Sequence, residues 1–329
     1  MNFQDGIDAQ PDVLARSAKA VQETLPDLAK PDDQAVIALV GIGASEHIAR
    51  SAAPVWREHG LRTFAVSASD LIGEGISAGA DVHVGLSESG RSAETVAALK
   101  SVTGSRLGVT NIADSPITEV VEESLLMDSG PDSPVYTTGY TAMLQAVGML
   151  GEHWTDETSD WPSLPDLAAE VLETTKPTID SVLDHFDTAR LIDVIGTGAS
   201  SASAGEGALL LREAAHAHTA AHETYNYLHG PMEPLDPRSA CIIVGDKREL
   251  RLAHDVSDLG CHTLLITTRA DVKPTDTLTV VQLPQAPSPL ALTVLQILPI
   301  QLLGSSLASR RGLRVDGFRY QQDDTKLGS

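Results

Sequence analysis

The chain has 329 residues, of which 42% are hydrophobic and 21% charged, a composition typical of a globular protein. This length predicts two domains. The formal net charge of −22 argues against nucleic acids and anionic membranes as partners, because both require clustered Lys and Arg side chains.

The cysteines and the apolar segments indicate the compartment. Cys241 and Cys261 lie in or beside apolar runs, which predicts buried free thiols in a reducing environment. The N-terminal residues contain neither the basic region nor the apolar region of a signal peptide. The longest apolar stretch, residues 289–303, is interrupted by polar side chains and predicts a core helix. We therefore expect a cytoplasmic protein.

Strands and helices are predicted to alternate along the chain. A helix is predicted at residues 11–30. The strands of the first half are predicted near residues 35–40, 62–67, 82–86, 105–110 and 123–128, with helices near residues 45–59, 91–102 and 138–152. A linker helix at 163–187 precedes strands near residues 190–195, 239–244, 262–267 and 278–283, with helices near residues 202–216, 247–259 and 287–309. This alternation predicts parallel sheets covered by helices on both faces.

An internal repeat relates the two halves. Residues 38–45 read Ala-Leu-Val-Gly-Ile-Gly-Ala-Ser, and residues 193–200 read Asp-Val-Ile-Gly-Thr-Gly-Ala-Ser. A second match, between residues 106–111 and 263–268, has nearly the same offset, which indicates duplication of a whole α/β domain. The predicted units are an N-terminal helical segment (1–30), a first domain (31–160), a linker helix (161–187), a second domain (188–309) and a C-terminal tail (310–329).

A serine-rich loop follows the strand predicted at residues 82–86. The segment Ser87–Thr95 reads Ser-Glu-Ser-Gly-Arg-Ser-Ala-Glu-Thr and leads into a helix. Ligands of open α/β sheets bind at the carboxyl ends of strands, and the free N–H groups of a helix N terminus attract anions. Serine hydroxyls add further donors. The loop therefore predicts a phosphate site without lysine; the alternative is that these side chains only cap the helix.

The Ser87–Thr95 loop resembles the signature of sugar isomerase (SIS) domains, and residues 10–14 are similar to the usual start of proteins with two such domains. The family includes the isomerase half of glucosamine-6-phosphate synthase, glucosamine-6-phosphate deaminases and fructosamine-6-phosphate deglycases. The resemblance implies an α/β fold of two tandem SIS domains. Each would be a parallel sheet flanked by helices, with flavodoxin-like three-layer α/β/α architecture.

The same resemblance implies roles for individual residues. Residues 206–213 are similar to the family helix Glu-Gly-Ala-Leu-x-Leu-x-Glu, which implies that Glu213 moves a proton between C1 and C2. His229, in a Leu-His-Gly-Pro loop, matches the histidine that opens the sugar ring in the partner subunit's site. Lys326 resembles the C-terminal lysine that contacts the open-chain sugar and can form a Schiff base. The residues implied to bind phosphate or sugar are Ser45, Ser87, Glu88, Ser89, Ser92, Thr95 and Thr137.

These roles are chemically reasonable, because a carboxylate can act as base toward both carbons and histidine titrates near neutral pH. Glu206 lies seven residues before Glu213 and shares its helix face; on an exposed face both would be solvated charges. His218 and His222 have the i,i+4 spacing of metal ligands, but no third ligand completes a known pattern. We expect no metal and no other cofactor.

The sequence also departs from the family. Leu210 and Gly139 stand where the family has lysine, and Asn226 where it has glutamate. Met1 is followed by Asn2 and not by the synthase's cysteine nucleophile, so we expect no glutaminase activity. The leading hypothesis is an isomerase/deaminase for an amino-sugar or fructosamine 6-phosphate, forming a homodimer with shared active sites. The alternatives are a simple ketose/aldose phosphate isomerase and a non-catalytic phosphosugar sensor.

Overall fold

The computed structural model of the protein describes residues 1–73, 79–320 and 322–328; residues 74–78 of the first predicted domain and residues 321 and 329 of the predicted tail lie outside the described residues. The helices are α1 (Phe3–Asp8), α2 (Gln10–Thr24), α3 (Ala44–Glu58), α4 (Ala93–Ser101), α5 (Thr138–Thr155), α6 (Leu164–Thr188), α7 (Ser201–Ala215), α8 (Thr224–Tyr227), α9 (Arg248–Asp258) and α10 (Pro289–Arg310). The strands are β1 (Val36–Gly41), β2 (Arg62–Ser67), β3 (Val82–Leu86), β4 (Ser105–Thr110), β5 (Glu123–Leu126), β6 (Leu191–Gly196), β7 (Thr219–His222), β8 (Ser239–Val244), β9 (His262–Thr267) and β10 (Leu278–Gln282).

The strands form two parallel five-stranded sheets, one in each half of the chain. Their strand orders are β2-β1-β3-β4-β5 and β7-β6-β8-β9-β10. Both are the flavodoxin-like order 2-1-3-4-5, in which the direction of strand addition reverses between the first and third strands. Helices flank both sheets, so the predicted three-layer α/β/α architecture is confirmed. The shared topology also accounts for the sequence repeat, whose two copies begin within β1 and β6.

Burial explains why these segments form strands. All six residues of β8 and five of the six in β1 are buried, as parallel strands covered on both faces require. The other predicted strands are found within a few residues of their predicted positions. Three elements were not predicted, namely α1, β7 and the four-residue α8, and α2 ends at Thr24 although its helix was predicted to reach residue 30. β7 is a short edge strand with mixed burial, so its hydrophobic pattern gives no clear period.

The two halves share one core. A single cluster of buried apolar side chains extends from the first sheet through α5, α6, α7 and α10 to the second sheet. The 22-residue α10 is long and apolar enough to cross a membrane, but 83% of its most apolar window is buried inside the fold. It therefore packs as the core helix that the sequence predicted. The shared core fixes the position of each half relative to the other.

Helices α3 and α7 make a close contact between the two halves of the chain. A Cβ atom at Gly205 of α7 would lie 2.3 Å from His47 Nδ1 of α3, so glycine permits this approach. Nearby, the Ser51 hydroxyl of α3 donates a hydrogen bond to the Ala199 carbonyl. As a result, α7 from the second half lies beside the carboxyl edge of the first sheet.

Candidate functional site

A cavity of about 370 Å³ opens at the carboxyl end of the first sheet, where the strand order reverses between β1 and β3. This is the usual ligand position in an open α/β sheet. The cavity, called here the site cavity, draws residues from both halves and from the C-terminal segment. Its lining residues are Ile42, Gly43, Ala44, Ser45, Ser87, Glu88, Ser89, Ser92, Glu94, Pro134, Tyr136, Glu206, Leu209, Glu213, Phe318, Thr325 and Lys326.

The loop between β3 and α4 presents its hydroxyls to this cavity. Ser92 caps α4 by accepting from the Thr95 N–H at 3.4 Å, and the Ser92 N–H donates to Ser87 Oγ at 3.4 Å. The Arg91 N–H donates to Ser89 Oγ at 3.3 Å. These bonds are long and therefore weak. An anionic ligand at the helix N terminus can replace them without much loss, which suits the predicted phosphate site.

Gly90 determines the shape of this loop. It has a φ of +65°, in the left-handed region that favours glycine. Its N–H donates to the Ser87 carbonyl, and its own carbonyl accepts from the Ile117 N–H at 2.9 Å. A Cβ atom here would lie 2.0 Å from Ser115 Oγ. Any other residue would therefore displace the serines from the cavity.

The C-terminal segment is paired with the same loop. Lys326 forms an isolated antiparallel bridge with Ser92, and the Ala93 N–H donates to the Thr325 carbonyl at 3.1 Å. The Lys326 ammonium donates to the Tyr136 hydroxyl at 3.0 Å. This pairing brings a residue distant in sequence into the wall of the site cavity.

Glu213 faces the site cavity from α7. Burial raises the pKa of its carboxyl to about 7, and the nearby Lys326 ammonium partly opposes that rise. A carboxyl that titrates near neutral pH can accept and return a proton under physiological conditions. The arrangement can thus provide a base, an amine and a set of hydroxyl donors in one cavity.

Glu88, in the loop Ser87–Thr95 (the serine loop), and Asp132, which precedes α5, form an acidic pair. Burial and the Asp132 carboxylate raise the pKa of Glu88, while a 3.1 Å hydrogen bond from the Asn111 amide opposes the rise. Asp132 accepts from the N–H groups of Thr137 and Gly139 and from the Thr137 hydroxyl at 2.6 Å. It therefore serves as an anion at the N terminus of α5.

The structure brings together most of the predicted site residues. Those that line the site cavity are Ser45, Ser87, Glu88, Ser89, Ser92, Glu213 and Lys326. Thr95 and Thr137 are buried outside its lining, where Thr95 bonds to the Ser92 hydroxyl and Thr137 to Asp132. Neither threonine reaches the cavity itself: Thr95 supports Ser92, which lines the cavity, and Thr137 supports Asp132, which does not.

His229 lies elsewhere. It is exposed on the turn after α8, and its N–H donates to the Asn226 carbonyl. It does not line the site cavity of its own chain. Its role in a partner subunit stays a prediction.

Sequence reasoning missed several lining residues, namely Glu94, Pro134, Tyr136, Leu209, Phe318 and Thr325. Tyr136 lies in a loop without a motif, so its contact with Lys326 could not be found from the sequence. Glu206 was recognised only as sharing a helix face with Glu213. Among the residues that the structure describes, no group of three or more His, Cys, Asp or Glu is arranged to hold a metal ion.

The equivalent place in the second sheet differs in charge. A cavity of about 450 Å³ lies there between the loops that follow β6 and β8. Glu249, which is 1% exposed, accepts from the Thr224 hydroxyl at 2.6 Å and from the Lys247 N–H at 3.2 Å. An internal carboxylate therefore occupies the N terminus of α9, and this cavity is unsuited to a phosphate.

Comparison with known proteins shows that one part of the chain matches a known domain family. Residues 185–288 match the family model of the SIS domain. The match covers the second sheet from β6 to β10, so the comparison supports one SIS domain. The prediction of two tandem SIS domains is not supported by this match, even though the first sheet has the same strand order.

Several proteins similar to this chain have names that describe enzymes of sugar phosphates. The glutamine–fructose-6-phosphate aminotransferase (isomerizing) of Thermus thermophilus is 29% identical over 253 residues, which are 70% of this chain and 42% of that protein. The chain thus spans about two fifths of the length of this curated relative. The C-terminal domain of the glucosamine-fructose-6-phosphate aminotransferase of Francisella tularensis has a TM-score of 0.83 at 20% identity, covering 96% of this chain and 97% of its own. The glucosamine-6-phosphate deaminase of Thermotoga maritima has a TM-score of 0.81 at 17% identity, covering 98% of each chain.

Gly90→Ala should weaken phosphate binding by about tenfold or more, because the added methyl group collides with Ser115 and moves the serine loop. Titration calorimetry with inorganic phosphate and with fructose 6-phosphate measures the change. Gly60→Ala is the matched control, since Gly60 also has a left-handed φ, of +95°, but has open space around its Cβ position. Gly60→Ala should lower the stability of the protein and leave its phosphate affinity unchanged. Equal affinities of all three proteins would show that this loop does not bind the phosphate.

Proposed function

We propose that the protein is a phosphosugar isomerase/deaminase that acts on an amino-sugar or fructosamine 6-phosphate. The observation that carries the proposal is the convergence of Glu213, Lys326 and the serine loop in one cavity. The named activities of the similar aminotransferase and deaminase support the same substrate class. On this proposal the first sheet acts as a second SIS-type domain and holds the phosphate.

The proposed reaction moves one proton between two carbons and releases ammonia. Glu213, as the carboxylate, removes the proton from C2 of the open-chain aldosamine and returns it to C1. The C1 carbonyl oxygen gains a proton and becomes a hydroxyl while the C2 amine loses one, so the amine becomes an imine, which water hydrolyses to a ketose phosphate and ammonia. Lys326, which lines the same cavity, would contact C1 or C2 or form a Schiff base with the open-chain sugar.

The ring must open before the proton can move. We assign this step to His229, because histidine is the side chain that most often serves as a general acid and base in enzymes. Because His229 is exposed and lies outside the site cavity of its own chain, the assignment requires a second subunit to supply it. The proposal therefore includes a homodimer with shared active sites.

Wild-type protein should release ammonia from glucosamine 6-phosphate, and Glu213→Gln should lower kcat/KM by about 10²–10⁴-fold, the usual loss of a general base. A coupled ammonia assay measures both. Because Glu213 must be ionised to act, and its pKa is about 7, kcat/KM should rise with pH and reach half its plateau near pH 7. Glu173→Gln, on the exposed face of α6, is the control and should retain full activity.

Full activity of the Glu213→Gln variant would refute the assignment of the base. Interconversion of aldose and ketose phosphates without ammonia release would instead favour a simple isomerase. Thermal stabilisation by sugar phosphates without any turnover would favour a phosphosugar sensor.

Mixing His229→Asn and Glu213→Gln chains should restore activity that neither variant has alone. Each mixed dimer would contain one intact site, so random mixing of a two-fold symmetric dimer should recover about a quarter of wild-type activity. The measurement is ammonia release after co-refolding, with mixed dimers verified by differently tagged chains. Verified mixed dimers without any recovered activity would exclude the shared site.

A further inference from the structure

One acidic group of the site cavity has no part in the proposed proton transfer. Glu206 lines the cavity from α7, yet it is only 1% exposed. Its Oε2 atom has no hydrogen-bond partner among the residues that the structure describes. Buried polar atoms are almost always paired, because an unpaired one costs stability. An unpaired carboxyl at a cavity wall therefore points to a partner that a ligand supplies.

The groups around Glu206 show which kind of partner is missing. Glu213 on the same helix and Asp132 before α5 are both acidic, and together with burial they raise the pKa of Glu206 well above its usual range. Tyr140 faces it from α5, and its hydroxyl is also unpaired. Lys326 is the one cationic side chain among the described lining residues. Its charge opposes the rise in the pKa values of Glu213 and Glu88, but it is not among the charges that act on Glu206.

We propose that Glu206 determines specificity by binding the amino group of the substrate as an ammonium ion. The inference rests on the proposed function and names the residue that would select sugar phosphates with an amine over their hydroxyl analogues. An ammonium group has N–H donors and the charge that this part of the cavity lacks, and such charge-assisted hydrogen bonds are strong. The serine loop and Glu206 would then recognise opposite charges on one ligand.

Proton balance gives this recognition a measurable signature. The raised pKa means that Glu206 keeps its proton to a higher pH than an exposed glutamate does. Binding an ammonium ion favours the carboxylate, so any Glu206 that is still protonated in the free protein releases its proton to solvent as the complex forms. The fraction of ionised Glu206 grows as pH rises, and the affinity for an amine ligand relative to a hydroxyl ligand must grow with it. Ionisation of Glu213 near pH 7 adds to this trend, whether or not residue 206 is a glutamate.

Two unreactive ligands isolate the effect of the amine. The alditols 2-amino-2-deoxyglucitol 6-phosphate and glucitol 6-phosphate differ only in an amine against a hydroxyl, and neither has a carbonyl to isomerise. Titration calorimetry should show that the wild type binds the amine ligand about tenfold more tightly or better, as expected for a charge-assisted hydrogen bond. Glu206→Gln should lose most of this preference while its affinity for glucitol 6-phosphate changes by less than about threefold.

A control variant and a pH series complete the experiment. Glu46→Gln removes a glutamate of α3 that pairs with Arg50 outside the site cavity, so it should keep the wild-type preference. As the pH is raised, the wild-type affinity ratio should rise more steeply than that of Glu206→Gln. An undiminished preference in Glu206→Gln would overturn the proposal. If that variant does not fold, a wild-type ratio that is near one or independent of pH would also overturn it.

The outcomes separate this inference from the proposed reaction. A Glu206-dependent preference for the amine ligand in a protein that releases no ammonia would support the inference and reject the deaminase. Ammonia release by a protein whose preference survives Glu206→Gln would support the deaminase and reject the inference.

Discussion

The packing of α7 against α3 is the contact on which the site depends. At Gly205 a single added carbon would meet the His47 ring at 2.3 Å, so the two helices approach as closely as their side chains allow. This approach places the two glutamates of α7 opposite the loops that follow β1 and β3. Neither half alone contains the site, because the first provides the serines and the second provides Glu206 and Glu213. The shared core through α10 holds this geometry fixed.

The two sheets have the same topology but unequal cavities. Both lie where strand order reverses, and both contain the N terminus of a helix. In the first, α4 is capped by hydroxyls through long bonds that a ligand can replace. In the second, the carboxylate of Glu249 already fills the corresponding place. The difference is electrostatic: among the described residues, the N terminus of α4 is free of an internal carboxylate cap, whereas that of α9 is not, so only the first is suited to an anion.

Much of this architecture could be predicted from the sequence. The repeat of Gly-x-Gly-Ala-Ser and the short apolar runs gave the two parallel sheets, since both signals are local. The serine loop and Glu213 were also found from local patterns, helped by the resemblance to SIS domains. The pairing of Lys326 with Ser92 was not predictable, because it joins residues more than two hundred positions apart. The same holds for Glu206, whose importance depends on burial and on charges contributed by other elements.

The most direct test of the account is a crystal structure of the protein with glucitol 6-phosphate bound. We predict the phosphate at the N terminus of α4, in contact with Ser87, Ser89 and Ser92, and the alditol chain extending toward Glu213 and Lys326. A phosphate bound instead beside Gly245 and Lys247 in the second cavity would contradict the account. In that case the charge difference between the two sheets would not determine where the ligand binds.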